Sequence, residues 1–130
     1  MIDHISVGVS DLERSATFYE ATLGALGLTR IVTRLRTIGF GKAYPEFWIN
    51  LREGMPHVPP ESGVHICLRA KTTAEVDAFH AAALSAGVSD GSPGIRPHDR
   101  VRYYAAFVVD PDGNRIEAVT FPKHDAEASG

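Results

Sequence analysis

Ile2-Asp3-His4-Ile5-Ser6-Val7-Gly8-Val9 leads into Ser10-Asp11-Leu12-Glu13, and Val64-His65-Ile66-Cys67-Leu68-Arg69-Ala70 leads into Lys71-Thr72-Thr73-Ala74-Glu75. Both stretches alternate like half-buried strands. In the first, Ile5, Val7 and Val9 share one face while His4, Ser6 and Gly8 share the other; in the second, Val64, Ile66 and Leu68 oppose His65, Cys67 and Arg69. Ser10 precedes Glu13 by three positions and Thr72 precedes Glu75 by three, the spacing of a capping box at a helix start. Leu12, Ala16, Tyr19, Leu23 and Leu26 then form one apolar stripe with Gly27 as its stop, and Val76, Phe79, Ala83 and Leu84 form another, stopped by Gly87.

Outward from these starts the halves keep the same order. After the first helix, extended stretches are expected at 28–35, 37–43 and 46–51, giving strand, helix and three strands. The proline- and glycine-bearing segment 52–63 reads as a connecting loop. In the second half, 91–97 reads as a turn-rich stretch with room for a short strand. Clear strands at 102–109 and 114–121 are joined by Asp110-Pro111-Asp112-Gly113. A repeat of this length suggests a pseudo-twofold duplication, not a solenoid. Overlaying the halves sets His4 against His65, and Ile49-Asn50-Leu51 against Ile116-Glu117-Ala118. The fold class is therefore α+β. One domain is expected over 1–122, built of half-modules at about 1–52 and 63–122, with 123–130 as a flexible tail.

Composition excludes several classes. The 130 residues are 44% hydrophobic and 22% charged, which rules out a disordered or collagen-like chain. A formal charge of -3 does not suggest a nucleic-acid partner, and no apolar run approaches bilayer-spanning length. The single cysteine, Cys67, excludes an internal disulfide and a cysteine zinc cluster. No membrane partner is expected, and the expected location is cytoplasmic because the start lacks a signal-peptide pattern.

Strand alternation puts His4, Asn50, His65 and Glu117 on the faces turned away from the core. Two imidazoles and a carboxylate suit Fe, Mn, Co, Ni or Zn, and three protein ligands leave coordination positions open for water and substrate. The same alternation allows surface histidines and a solvated glutamate, so the pattern alone leaves both readings open. Trp48 and Arg52 share the face of Asn50, and Cys67 shares that of His65, so all are candidates to line a site; a packed Trp48 and a buried, filler Cys67 are the plainer expectations. Tyr103 and Tyr104 point to opposite faces, so one belongs to the core and the other, taken as Tyr103, is a further candidate to line the site. His57 and His98 fall in loops, and His80 at the edge of the second helical stripe. Asp110-Pro111-Asp112-Gly113-Asn114 superficially suggests a calcium loop, but glycine at the sixth position and glutamate at the twelfth are missing.

Asp3-His4-Ile5-Ser6-Val7-Gly8-Val9, Asp11-Leu12-Glu13-Arg14-Ser15 with Phe18-Tyr19, and the closing Phe107-Val108-Val109-Asp110-Pro111-Asp112-Gly113-Asn114-Arg115-Ile116-Glu117 resemble the vicinal oxygen chelate superfamily. This group includes glyoxalase I, extradiol dioxygenases, methylmalonyl-CoA epimerase, fosfomycin-resistance enzymes and bleomycin-binding proteins. The resemblance implies paired βαβββ modules forming a cupped mixed sheet with helices on its outer face. It also implies metal ligands at His4, His65 and Glu117, and a homodimer. Glyoxalase I carries a fourth, acidic ligand on the strand where Asn50 stands, so its usual proton shuttle is not matched and the catalytic acid or base is unassigned. The expected function is a divalent-metal enzyme acting on a small oxygenated substrate, with lyase or isomerase chemistry first and an extradiol-type dioxygenase next. The alternative is a metal-free protein that sequesters an aromatic or drug-like ligand, as in bleomycin resistance.

Overall fold

The computed structural model describes residues 1–98 and 101–122, apart from the side chains of 98 and 101; the expected tail, 123–130, lies outside the described residues. The first half runs β1 (Ile5–Val9), α1 (Leu12–Gly24), β2 (Thr29–Thr33), β3 (Thr37–Gly41) and β4 (Pro45–Leu51). A short 3-10 turn (Pro60–Ser62) precedes β5 (His65–Arg69), α2 (Thr73–Ala83), β6 (Val88–His98), β7 (Val101–Val109) and β8 (Arg115–Thr120). Each half makes one four-stranded mixed sheet, in the orders β1-β4-β3-β2 and β5-β8-β7-β6. The first and last strands of each half are parallel neighbours, and the other pairings are antiparallel. This is the expected paired βαβββ architecture.

Alternation sorts each sheet into two faces. Val9, Ile38, Phe40, Phe47 and Ile49 from one half and Ala106, Val108, Ile116 and Ala118 from the other join Phe18, Tyr19, Leu23, Val76 and Phe79 of the helices in one core. The two helices also pack on each other. The opposite face of each sheet is left for other uses.

The helix ends differ from the sequence expectation in an informative way. Thr72 caps α2 as expected, accepting from Glu75 N at 3.1 Å, while Glu75 Oε1 accepts from Lys71 N at 2.8 Å. The cap of α1 is Asp11, not Ser10; its carboxylate accepts from Arg14 N at 3.1 Å. Ser10 is drawn away by the other half of the chain. Its N–H and Oγ–H donate to Asp112 at 3.0 and 2.5 Å. At the other end of α1 the chain reverses at Gly27, where φ is +85°, and Leu28 N–H donates to Leu23 O at 2.9 Å. Only glycine adopts that backbone conformation without strain.

The stretch 91–97 is strand throughout, longer than the short strand for which the sequence left room. It belongs to β6, which pairs with β7 across register shifts between Ser89 and Gly91 and between Gly91 and Gly94. Antiparallel pairing with a long neighbour overrides the local turn preference of its glycines and prolines, and the shifts absorb the mismatch.

Two clefts define how the halves meet. Ser6, Val7 and Gly8 of β1 share one with Val64, Ile66, Asn114 and Arg115, while Ile5 and Phe47 share the other with Leu68 and Arg69. β1 and β5 therefore run in opposite directions across the junction. The junction is also tied by polar bonds: Asn114 Nδ2 donates to Gly8 O at 2.9 Å, Arg14 Nη2 to Asp112 Oδ1 at 3.3 Å, and Tyr19 Oη to Asp110 Oδ2 at 2.6 Å. Asp110-Pro111-Asp112-Gly113, which carries the closing-hairpin resemblance, is thus the clasp between modules.

Candidate functional site

The face of the second sheet away from the helices is assembled by register. Cys67 of β5 lies opposite Glu117 of β8, and Glu117 lies opposite Phe107 of β7. His65, two residues before Cys67, turns to the same side. Its Nε2 comes within 3.1 Å of Glu117 Oε1. The histidine side chain is 51% exposed and the glutamate 8%, so one partner faces solvent while the other is held in the sheet. Because the edge strand β5 pairs directly with the central strand β8, their backbones fix this pair without help from a loop.

The same face carries aromatic and cationic groups along its length, from Phe107 beside the pair to Phe121 at the far end. The Arg96 guanidinium carbon stands 5.5 Å from the Phe107 ring centre, and that of Arg69 stands 4.5 Å from Phe121. The Tyr103 and Phe121 rings are 6.2 Å apart. Tyr103 is therefore the tyrosine on the open face; Tyr104 points to the helix side, where its hydroxyl donates to Asp77 at 2.5 Å. A cavity lined by His65, Phe107, Asp90 and Arg115 opens beside the histidine. Arg115 is committed to Asp90 at 2.5 Å. Cys67 is solvent-exposed, contrary to the filler reading. Partial burial of its sulfur, and then the neighbouring Glu117 carboxylate, push its thiol up to about 12, so it is not a ready thiolate.

His4 does not join them. It lies just before β1 with its side chain 57% exposed, and its Nδ1 is 2.8 Å from Asp3 Oδ2. Since Ile5 neighbours Leu68 and Arg69, His4 sits at the Arg69 end of β5 while His65 starts the other end. Those ends are about 13 Å apart at the usual strand rise. Among the described residues, no group of three His, Cys, Asp or Glu side chains is placed to hold a metal ion. The donors fit a borderline divalent metal in kind, but one chain brings two of the three together.

The first sheet corrects the overlay of the halves. The 61 positions separating His4 from His65 also relate Asp11 to Thr72, both helix caps. With that shift, the pairing Cys67–Glu117 corresponds to Ser6–Trp48, not to a pairing of Asn50. Trp48, not Asn50, is the counterpart of Glu117, and no carboxylate stands at that place. Trp48 is partly exposed, lies against Gly39, and has the Arg34 guanidinium 5.7 Å from its ring centre. Asn50 is held by Thr37, whose hydroxyl lies 2.5 Å from Asn50 Oδ1. Arg52 is exposed, donates to Leu51 O at 2.9 Å and lies beside Gly8.

The other histidines have structural surroundings. His57 packs against Gly113, and Val58 N–H donates to Asp112 O at 2.8 Å, so this loop is pinned to the clasp. His80 is buried, with Nε2 2.7 Å from Ser89 Oγ. His98 ends β6, and its side chain is outside the described residues. Arg69, Arg96, Phe107 and Phe121 were not legible as site groups. Only the register of four separate strands brings them onto one face.

Fold and site together define a class of small paired-module proteins, and the comparisons agree. Residues 1–118 match the Glyoxalase/Bleomycin resistance protein/Dioxygenase superfamily. The chain belongs to that superfamily. A glyoxalase/bleomycin resistance protein from Albidiferax ferrireducens T118 is 33% identical, with a TM-score of 0.80 over 90% of this chain and 96% of that one. A glyoxalase-related enzyme from Fulvimarina pelagi shares the fold at 19% identity, TM-score 0.72, over 94% of this chain and 88% of that one. A glyoxalase I mutant from Zea mays shares it at 22% identity, TM-score 0.64; 90% of this chain covers 44% of that one. A comparison with curated proteins gives no match. No helix among the described residues is long and apolar enough to cross a membrane.

Proposed function

We propose that this chain is a divalent-metal-dependent enzyme acting on a small oxygenated substrate, with lyase or isomerase chemistry, and that its metal centre is shared between two copies. His65 and Glu117 of one copy hold the ion together with His4 of the other. The carrying observation is the His65–Glu117 pair, 3.1 Å apart on adjacent strands at an open sheet face. The opposed directions of β1 and β5 support the second copy, because within one chain they separate His4 from the pair. When bound, the metal supplies Lewis acidity toward substrate oxygens and any oxyanion formed from them. The protein's part is to fix Glu117 in the sheet, present His65 from the strand edge and wall the site with Phe107. Fe, Mn, Ni, Co and Zn all suit this donor set.

Calorimetry of divalent-metal binding to chelator-stripped protein tests the reading. Binding of one ion per chain, lost in both His65→Ala and His4→Ala, is expected. Mixing the two variants after dissociation and reassembly restores about a quarter of the sites if the centre is shared, since random pairing makes half the dimers mixed and each holds one intact site. Absence of binding by the wild type overturns the metalloenzyme. A second reading, a metal-free protein sequestering an aromatic ligand, draws on the exposed edge of Trp48 and the row formed by Tyr103 and Phe121. Ligand binding that is indifferent to metal separates it from the first. An extradiol-type dioxygenase would use the same three ligands with Fe(II) and consume oxygen, which an oxygen electrode detects.

A further inference from the structure

We propose that Arg96 is the anion-binding, specificity-determining residue of the site, and that the substrate carries a carboxylate about one aromatic ring away from its chelating oxygens. The inference rests on the His65–Glu117 site proposed above and names its substrate class.

Arg96 is placed by an unusual piece of backbone. β6 slips register twice, between Ser89 and Gly91 and between Gly91 and Gly94. The guanidinium folds back along its own strand into the space this leaves. Nη2 donates to Ser92 O at 2.5 Å. A Cβ built on Gly91 would lie 3.3 Å from Nη2, and one on Gly94 would lie 3.1 Å from Nη1. Neither glycine has a positive φ, so their use is the room they leave: a Cβ on Gly91 would crowd Phe107 Cδ1 at 2.9 Å before it met the guanidinium, and one on Gly94 would meet the guanidinium alone. Phe107 supplies the floor of this cradle, at 5.5 Å from the guanidinium carbon. A side chain with ordinarily large rotamer freedom is thereby held ready, which reduces the entropy lost on binding.

The cradle faces the metal-binding pair. Phe107 lies directly opposite Glu117 in the β7–β8 ladder, and side chains in such pairs stand about 5 Å apart. One phenyl ring therefore separates the guanidinium from the carboxylate that pairs with His65. Arg115, Arg14, Arg30 and Arg36 each face a carboxylate, at Asp90, Asp112, Glu20 and Glu53 respectively. Arg96 has no carboxylate partner among the described residues. A divalent ion with two neutral imidazoles and one carboxylate leaves a net charge of +1, and Arg96 adds another. A substrate whose oxygens meet the metal while a carboxylate meets Arg96 neutralises the guanidinium and halves the net charge to +1; a neutral substrate leaves the two positive charges repelling. The guanidinium fork matches a carboxylate with two parallel hydrogen bonds.

The test uses 3,4-dihydroxybenzoate and its methyl ester as probes. They share the vicinal oxygens and the ring and differ in the anion. Each is titrated into Mn2+-loaded protein by calorimetry. Wild type is expected to bind the acid at least about tenfold more tightly than the ester, the scale of a charge-assisted contact. Arg96→Met keeps an apolar cover over Phe107 and should lose this preference while holding the ester as before. Arg96→Lys should keep part of it, and Gly94→Ala should weaken the acid alone by displacing Nη1. Melting curves establish that the variants are folded. Equal affinity for acid and ester in wild type, no binding of either, or a preference retained in Arg96→Met overturns the assignment. Titration of Mn2+ alone tests the metal reading separately. If the ion does not bind, the acid–ester comparison on metal-free protein decides the role of Arg96 by the same criteria.

Discussion

Tyr19→Phe isolates one hydrogen bond at the clasp between the modules. The ring of Tyr19 is fully buried, edge-on to Phe18 at 4.9 Å and tilted against Phe47 at 5.0 Å, and a phenylalanine keeps both contacts. What disappears is the hydroxyl that donates to Asp110 at 2.6 Å. Hydrogen bonds to a charged group contribute about 1.5–3 kcal/mol. Unfolding entropy of about 2.1 cal/mol/K per residue gives a chain of this length about 0.27 kcal/mol/K, so the variant should melt about 5–11 °C lower at neutral pH. The pH dependence is a sharper check. Burial raises the Asp110 carboxyl above its ordinary 3.8, and the bond from Tyr19 opposes that rise. A raised folded value means the fold takes up the proton more readily than the unfolded chain. The Asp110 contribution is therefore fully present below about 3.8 and is lost as pH climbs through the folded value. Without the hydroxyl the folded value rises further and the loss grows. The melting-temperature gap between wild type and variant should be larger at pH 7 than at pH 3. Thermal melts followed by circular dichroism at both values measure it. A gap under about 2 °C at pH 7, well below the scale of such a bond, or the same gap at both values, would refute the reasoning.

Asp112→Ala strips an acceptor from Ser10 N, Ser10 Oγ and Arg14, and should cost about 2–4 kcal/mol in urea melts, with Asp112→Asn costing less. Asp11→Ala should cost about 1 kcal/mol, the scale of a lost helix cap, measured the same way. Gly39→Ala would set a Cβ 2.8 Å from the Trp48 ring and 2.9 Å from Pro45 Cβ. It should destabilise by about 1–3 kcal/mol and shift the emission of the single tryptophan.

Much of the architecture follows from short-range pattern. Alternation identifies β1 and β5, the apolar stripes identify α1 and α2, and capping-box spacing places the start of α2, because strand and helix periods are local properties of the chain. Misreadings arose where a distant partner outweighed a neighbour. Ser10 and Asp11 are both good caps, and only Asp112, 102 positions away, decides that Ser10 is taken elsewhere. Gly91 to Pro97 has turn composition, yet β7 recruits it into the sheet.

The sequence by itself determined the duplicated modules, the family motifs and the face each candidate occupies, since period-2 alternation sorts side chains with no knowledge of the fold. Alternation is blind to a shift of two residues, which keeps every side chain on its face. Trp48 and Asn50 could therefore not be told apart as the counterpart of Glu117 until the register of β1 against β4 distinguished them. Nor does alternation say which way two strands run when they meet at a junction. That direction parts His4 from His65 and Glu117 within one chain, and it is a product of how the modules pack. Arg96 is the plainest case of the tertiary structure deciding. Its cradle needs two glycines of β6, a ring from β7 and a carboxylate from β8, and no local spacing relates them.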